Sequence, residues 1–340
     1  MPSRLAASIF TCAAFTCVLA GIAHAAEFVP SAELLAAARR EGKVVLYTAN
    51  FLDTEQTVVK RFSERFGIQI EIVRAPTGAL ITRIKTEAAA NRIIADVIDF
   101  SDRVQARAMI ALFAPYAPPN AADYPAVART GDRLWPRSGN AWTITYNSAL
   151  VTDPPKSWAD LLKPEFGKQR LGQTVVAAGG GPFNRAMFER KVLGENYWAR
   201  QAALKPTLYP SQAQMVDAMI RGDIAIAPLV TNLAIPLAAQ GAPLKWFFAP
   251  EGVPVTVFCA GIPKGAAHPN AAKLFLDWAL SREGQALMVE QGSFSAMAAG
   301  PIPPGVDPKA IKTWYPDDDE IAKIFAPWTD DWNKAYGYRQ

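Results

Sequence analysis

The sequence predicts an α/β protein of two lobes joined by two long strands. Three observations carry this. Short apolar runs alternate with helical periods over residues 44–100, and a second such series runs over residues 174–250. Between and after them stand two strand-like stretches, WTITYN from Trp142 and VPVTVFCAGIP around Val255–Cys259. Runs of this kind in alternation imply a mainly parallel sheet with helices on both faces. With 340 residues, half of them hydrophobic, the chain is long enough for two domain-sized cores.

The first residues differ from the rest. Arg4 precedes the apolar run LAASIFTCAAFTCVLAGIA, which ends in Ala-His-Ala. A positive start, an apolar stretch and an Ala-x-Ala site are the parts of an export signal. Residues 1–25 are expected to be a cleaved signal peptide, with the mature chain starting at Ala26. The alternative is an uncleaved anchor, because the run is near the lower limit for a membrane span. Cleavage removes Cys12, Cys17 and His24. The mature chain keeps Cys259, in an apolar stretch where a buried thiol is expected, and a single histidine, His268. One cysteine forms no internal disulfide.

In the first lobe, SAELLAAARREG reads as a helix from a Ser31 cap to Gly42. VVLYTA is a buried strand. Asp53 and Gln56 have capping-box spacing, and Val58, Val59, Phe62 and Phe66 recur at helical spacing up to Gly67. IQIEIV is a strand, Leu80, Ile81, Ile84 and Ala88 mark a helix, and ADVIDF is a third strand. Phe113–Val127, rich in Pro and Ala and without a period, reads as a surface excursion. The second lobe repeats the scheme: TVVAA as a strand, a Gly-rich corner and a helix, then SQAQMVDAMIRG with Ser211 and Gln214 in capping positions. DIAIAP and LKWFFAP are its further strands. NAAKLFLDWAL, SREGQALMVEQG and DDDEIAKIFAPWTDDWNKAY close the chain as helices. The expected division is 26–141 with 259–315 for lobe 1, 147–254 for lobe 2, 142–146 and 255–258 for the hinge, and 316–340 for a helical tail.

Several function classes are poorly served. Lys+Arg total 35 against 31 Asp+Glu, without a basic run, so a nucleic-acid stripe is not expected. G-x-S-x-G, H-E-x-x-H and Walker A patterns are missing. One His and one Cys do not make a zinc site. Asp317–Glu320 lacks the spacing of a calcium loop and suits a helix start. No cofactor, metal or catalytic residue is therefore expected.

The corners where strands end and helices begin are richer. They are ANFLDT with Asn50 and Phe51, APTGA with Thr77 and Gly78, FSDR with Ser101 and Asp102, AGGGPFN with Gly180, Gly181, Pro182, Phe183 and Asn184, and PLVTNLA with Thr231 and Asn232. In parallel sheets, ligands bind beyond the carboxyl ends of the strands, and helix N-termini there suit anions. Three glycines let the backbone of Gly180–Asn184 approach a ligand closely. Trp142 and Thr143, on the first crossing strand, complete the candidate set. Arg103, Arg137 and Arg185 are the candidates for a full positive charge. Asp53, Asp102 and Glu251 are the obvious corner acids.

The export signal together with KVVLYTA, LITRIKTEAAANRIIADVIDFSD, SWADLLKPEFGKQ and AGIPKGAAHPNAAKLFLDWALSREGQALM resembles the periplasmic solute-binding proteins of bacterial ABC importers, in the family related to ferric-ion-binding proteins. The resemblance covers nearly the whole mature chain. It implies a type II-like two-lobe fold with crossing hinge strands, capture of a small molecule between the lobes, delivery to an inner-membrane permease, a periplasmic location, a monomer and no catalysis. Ferric-binding relatives carry adjacent tyrosines where this chain has Thr231 and Asn232, and often a His in the first corner, where it has none. The fold is thus expected without the iron site, and the ligand as a small organic anion: a phosphonate, sugar phosphate or carboxylate. Ferric ion, a polyamine or thiamine remain alternatives within the fold. An exported hydrolase or lyase, or a sensor for a membrane receptor, remain alternatives outside it.

Overall fold

A computed structural model describes residues 27–339 apart from 169, 305, 308 and 310. The expected signal peptide and its cleavage site lie outside the described residues. Helix α1 (Ala32–Glu41) begins at Ser31, whose hydroxyl accepts from the Leu34 amide, and stops at Gly42 with φ +75°. Strand β1 (Lys43–Thr48), α2 (Leu52–Phe66), β2 (Gln69–Arg74), α3 (Thr77–Ala89), β3 (Val97–Phe100) and α4 (Arg103–Ala108) follow. The capping box expected from Asp53 and Gln56 does not form. Helix α2 starts one residue before Asp53, at Leu52, behind Phe51, which offers no side-chain cap. This start turns Glu55 inward, where it is fully buried.

The excursion at 113–127 is tied down more firmly than its composition suggests. Tyr116 donates to Asp277 (2.7 Å), buried Tyr124 donates to the Leu280 carbonyl (2.7 Å), and Trp135 Nε1 donates to the Tyr116 carbonyl (2.8 Å). The long strand β4 (Trp135–Asn147) then leads to α5 (Pro164–Lys168), β5 (Gly172–Thr174), α6 (Gly181–Leu193) and α7 (Tyr197–Ala202). Of the expected strand TVVAA only Thr174 lies in β5; Val176–Ala178 form a tight helical turn. The chain continues through β6 (Thr207–Tyr209), α8 (Gln212–Arg221), β7 (Ile226–Val230), α9 (Thr231–Ala239), β8 (Leu244–Phe247) and β9 (Val253–Gly261). It ends with α10 (Pro269–Ala279), α11 (Arg282–Glu290), β10 (Thr313–Trp314) and α12 (Asp318–Tyr336).

The strands run in the order β2-β1-β3-β9-β4-β7. Strands β1, β2 and β3 are parallel, and β9 joins β3 antiparallel through Cys259–Gly261. Strand β4 changes partners along its length. Trp135–Ala141 pair with β9, whereas Trp142–Asn147 pair with β7 and β8. The expected hinge segment 142–146 therefore lies in the stretch bonded to the second lobe's strands. The two crossing strands meet each other at Ala141 and Val255.

Cores sit on both sides of this crossing. One side packs Leu46, Phe62, Phe275 and Trp278 under α1, α2, α10 and α11, with a second cluster around Tyr47, Ile98 and Phe100. The other side packs Trp142, Ile144, Trp158 and Phe188, with clusters under α8 and α9 and around Trp198 and Trp332. Cys259 is buried, and burial pushes its thiol pKa well up. His268 is structural: its amide and Nδ1 both meet Asp96 at the start of α10.

Helix α12 is more than a tail. Asp317 caps it, Asp318 pairs with Arg103 (3.1 Å) and Asp319 with Arg107 (3.1 Å), both on α4 of the first lobe. Its far half packs on the second lobe, where Trp328 meets Trp198 edge-on and Trp332 is fully buried. No helix among the described residues is long and apolar enough to cross a membrane.

Candidate ligand cleft

A cavity of about 90 Å³ opens between the lobes, at the carboxyl ends of the strands. Each wall is made by strand-to-helix corners. The first lobe contributes Phe51 before α2, Pro76 and Thr77 at the start of α3, and Ser101 after β3. The second contributes Gly181 and Pro182 at the start of α6, Ser211 and Gln212 at α8, and Val230 before α9. Asn140, Thr256 and Phe258, on the crossing strands, form the floor.

The helices that begin here are unusual in one respect. No side chain caps α2, α3, α6 or α9, whose cap positions are Phe51, Pro76, Gly180 and Val230. Two neighbours carry their own caps: α8 has Ser211, which accepts from the Gln214 amide as its spacing predicted, and α4 has Asp102, which accepts from the Gln105 amide. A helix start exposes unpaired N–H groups and about half a positive charge. Several such starts around one cavity give it a positive field.

Arg74, the last residue of β2, adds a full charge. Its Nε donates to the Asn50 carbonyl (3.2 Å), and its guanidinium lines the cavity. No carboxylate among the described residues pairs with it, and burial pulls its pKa below the usual arginine value. The three arginines singled out from sequence are all placed elsewhere. Arg137 is fully buried between Glu55 (2.7 Å to each oxygen) and Asp99 (2.5 Å). Burial pushes the Asp99 carboxyl up to about 6; Arg137 opposes that shift and Glu55 adds to it. Arg185 is fully buried against Glu189, with its guanidinium over the Trp142 ring at 5.4 Å. Arg103 faces Asp318.

Of the expected site residues, Phe51, Thr77, Ser101, Gly181 and Pro182 come together in the cavity wall. Thr77 Oγ1 and Ser101 Oγ are hydrogen-bonded at 2.7 Å. Asn50 and Asn232 sit just behind, fully or nearly buried, and join the lobes: Asn232 Nδ2 donates to Asn50 Oδ1 at 3.2 Å. Thr231 is buried at the start of α9, its Oγ1 taking a long contact (3.4 Å) from the Ala141 amide. Trp142 and Thr143 are withdrawn into the sheet, because both lie where β4 pairs with β7. Thr143 Oγ1 donates to the Leu229 carbonyl. Gly78 is exposed in the first turn of α3.

The Gly-rich corner divides. Gly181 and Pro182 face the cleft, while Gly180, Phe183 and Asn184 line a second hollow of about 30 Å³ behind it, beside Asp102 and α12. Gly180 is the partition. Its φ is +53°, and a Cβ there would stand 2.3 Å from Ser101 Oγ. Its N–H is one of three backbone donors, with Val104 and Gln105, that lower the Asp102 pKa against burial, which raises it. Asp102 is thereby the cap of α4 and not a cleft acid. Of the other corner acids, Glu251 accepts from the Trp158 and Ala159 amides and Asp53 is exposed.

Sequence reasoning missed Arg74, Asn140, Gln212 and Thr256. Arg74 immediately precedes the corner APTGA, and that position was a signal. Thr256 Oγ1 is buried, faces the cavity and has no hydrogen-bond partner among the described residues.

Two α/β lobes with crossing strands and a polar cleft between them define a ligand-binding protein of the periplasmic type. Residues 48–286 match the model of the bacterial extracellular solute-binding proteins, and the chain belongs to that family. It is 22% identical over 294 residues to a putative 2-aminoethylphosphonate-binding periplasmic protein of Salmonella typhimurium, covering 81% of this chain and 85% of that one. The fold is similar to AfuA from Actinobacillus pleuropneumoniae with fructose 6-phosphate bound (TM-score 0.72, 20% identity, 85% of this chain and 98% of that one). It is also similar to iron-bound HitA from Pseudomonas aeruginosa (TM-score 0.70, 22% identity, 85% and 99%). The chain is thus the substrate-binding component of an ABC transporter, a transport protein and not an enzyme, whose partners are a small molecule and a permease.

Proposed function

We propose that this protein captures a small organic anion between its lobes and hands it to its permease from the periplasm, after export on a cleaved signal peptide. The observation that carries the reading is the set of uncapped helix starts around one cavity. Phe51, Thr77, Ser101, Gly181 and Pro182 are the contacts retained from the expected set, with Asn50, Thr231 and Asn232 as their support. Arg74, Asn140, Ser211, Gln212 and Thr256 join them. Phosphonates, sugar phosphates and small carboxylates present the oxygens these donors need. The name of sugar-phosphate-bound AfuA agrees with that chemistry, and the name of the Salmonella relative shares its phosphonate but adds an amine. Ferric ion fits less well, because the described cavity wall offers no tyrosine, histidine or carboxylate. The lobes are taken as the residues on either side of the β4–β9 crossing, moving about it as the cleft closes.

Mass spectrometry of the compound that co-purifies, followed by thermal shifts with phosphonates, sugar phosphates, carboxylates, thiamine, polyamines and ferric ion, tests the reading. At a hundredfold excess over Kd a ligand adds about 2.7 kcal/mol of stability, so a true ligand is visible. Stabilisation by ferric ion alone, or by polyamines alone, overturns it.

A further inference from the structure

Resting on the anion reading above, we infer that the ligand carries no cationic group: the cleft selects an anion with an uncharged body and discriminates against its amino analogue. The charges of the cavity wall are one-sided. Arg74 is its basic residue, and no Asp or Glu is among its described lining. The nearby carboxylates are committed elsewhere. Asp102 holds three backbone amides, and Glu55 and Asp99 hold Arg137. Glu251 holds the amides at 158 and 159.

The remaining wall is neutral. Phe51, Phe258, Pro76, Pro182, Pro210 and Val230 supply apolar surface for the body of a ligand. Thr256 Oγ1, buried and unpartnered, and the Thr77–Ser101 pair supply hydroxyls. An ammonium brought into this space loses its water and finds no carboxylate to replace it. It also meets the positive field of Arg74 and of the helix starts. The faces of Phe51 and Phe258 attract cations only weakly by comparison. An anion with a hydroxylated or aliphatic body meets no such conflict.

The test is a pair of isosteric comparisons by calorimetry on the purified exported protein freed of bound ligand. Propylphosphonate is set against 2-aminoethylphosphonate, and glucose 6-phosphate against glucosamine 6-phosphate. The amine-free member of the pair that binds is expected to bind at least tenfold more tightly, and Arg74→Gln to weaken that member at least tenfold. Equal or tighter binding of the amino member overturns the inference and leaves the anion reading standing. If no anion binds and a cation does, the anion reading falls and this inference with it. An Arg74→Gln variant that binds the amine-free anion as well as the parent also overturns the inference.

Discussion

Helices α1, α11 and α12, away from the cleft, and α4 and α8, beside it, each begin under a side chain that accepts from their own first turn, and α10 begins under the carboxylate of Glu41. Four helices that begin around the cleft, α2, α3, α6 and α9, have no such side chain, and neither has the short α7 away from it. The arginines divide the same way. Arg137 and Arg185 are buried against carboxylates, while Arg74 keeps much of its side chain exposed and pairs with no carboxylate among the described residues. Where a donor serves the fold, the fold supplies its acceptor. Where donors are left over in a cavity, an outside molecule can supply it. Unmet hydrogen-bonding capacity, concentrated in one place, distinguishes a binding surface from a well-made turn.

The largest effect expected from this contrast is on the paired side. Arg137→Met leaves Glu55 and Asp99 buried together without a cation, and breaking a buried pair in this way costs about 3–5 kcal/mol. Urea unfolding should show that loss. Adding Glu55→Gln and Asp99→Asn should restore much of it, and failure to restore would mean that packing dominates. On the unpaired side the outcome inverts. Arg74→Gln should leave the ligand-free unfolding midpoint nearly unchanged and cost ~10–100-fold in anion affinity, matching about 1.5–3 kcal/mol for hydrogen bonds to a charged group.

Asp277 offers a third case, a carboxylate with no arginine. Burial raises its pKa to about 6, against the Tyr116 hydrogen bond and the Lys273 charge, which lower it. A raised folded-state pKa means that the native state holds the proton longer than the unfolded chain. The stability Asp277 contributes is full below about pH 4 and is lost as pH rises through 6. Asp277→Asn should flatten that decline, by an amount of the order of 2 kcal/mol, as followed by thermal unfolding across the interval. The smallest effect expected is at the cleft rim. Pro76 has the extended backbone of a cap, with φ −55° and ψ 148°, close to that of Ser31. Pro76→Ser should give α3 its own acceptor and weaken anion binding a few-fold. Unchanged affinity in titration would remove α3 from the ligand's partners.

The corners were legible because their causes are local. Apolar runs ending before helical periods mark strand-to-helix joints, and Ser31, Gly42 and Ser211 carry their own signals. Phe51, Thr77, Ser101, Gly181 and Pro182 follow from that rule alone. What was hidden depends on partners distant in sequence. Arg137 looked available until its position against Glu55, 82 residues away, was seen. Gly180 looked like a ligand contact until Ser101 and Asp102 proved to occupy its approach. Thr256 and Phe258 looked like ordinary strand residues, because only the crossing of β4 and β9 turns one face of β9 into a floor.

Helix α12 makes the surrounding solution part of the hinge. Its 19 residues run about 28 Å; the head meets α4 through Asp318 and Asp319 and α6 through Lys191–Glu320 and Ile321 packed with Phe183 and Met187, and the far end meets α7. Pro327 removes one backbone bond midway along the helix, so the two halves need not move as one body if the lobes rotate about their crossing. The head is held by ions and by buried Ile321; of its ion pairs the Arg107–Asp319 contact is well exposed, so salt screens it. The far end is held by buried aromatic rings, which salt does not loosen, and by the partly exposed Arg190–Asp331 pair (3.0 Å), which it screens. Raising ionic strength should therefore loosen the exposed pairs at both ends of α12 while Ile321 and the buried rings hold, so that if the lobes move about their crossing, salt becomes a second input to a device otherwise governed by its ligand.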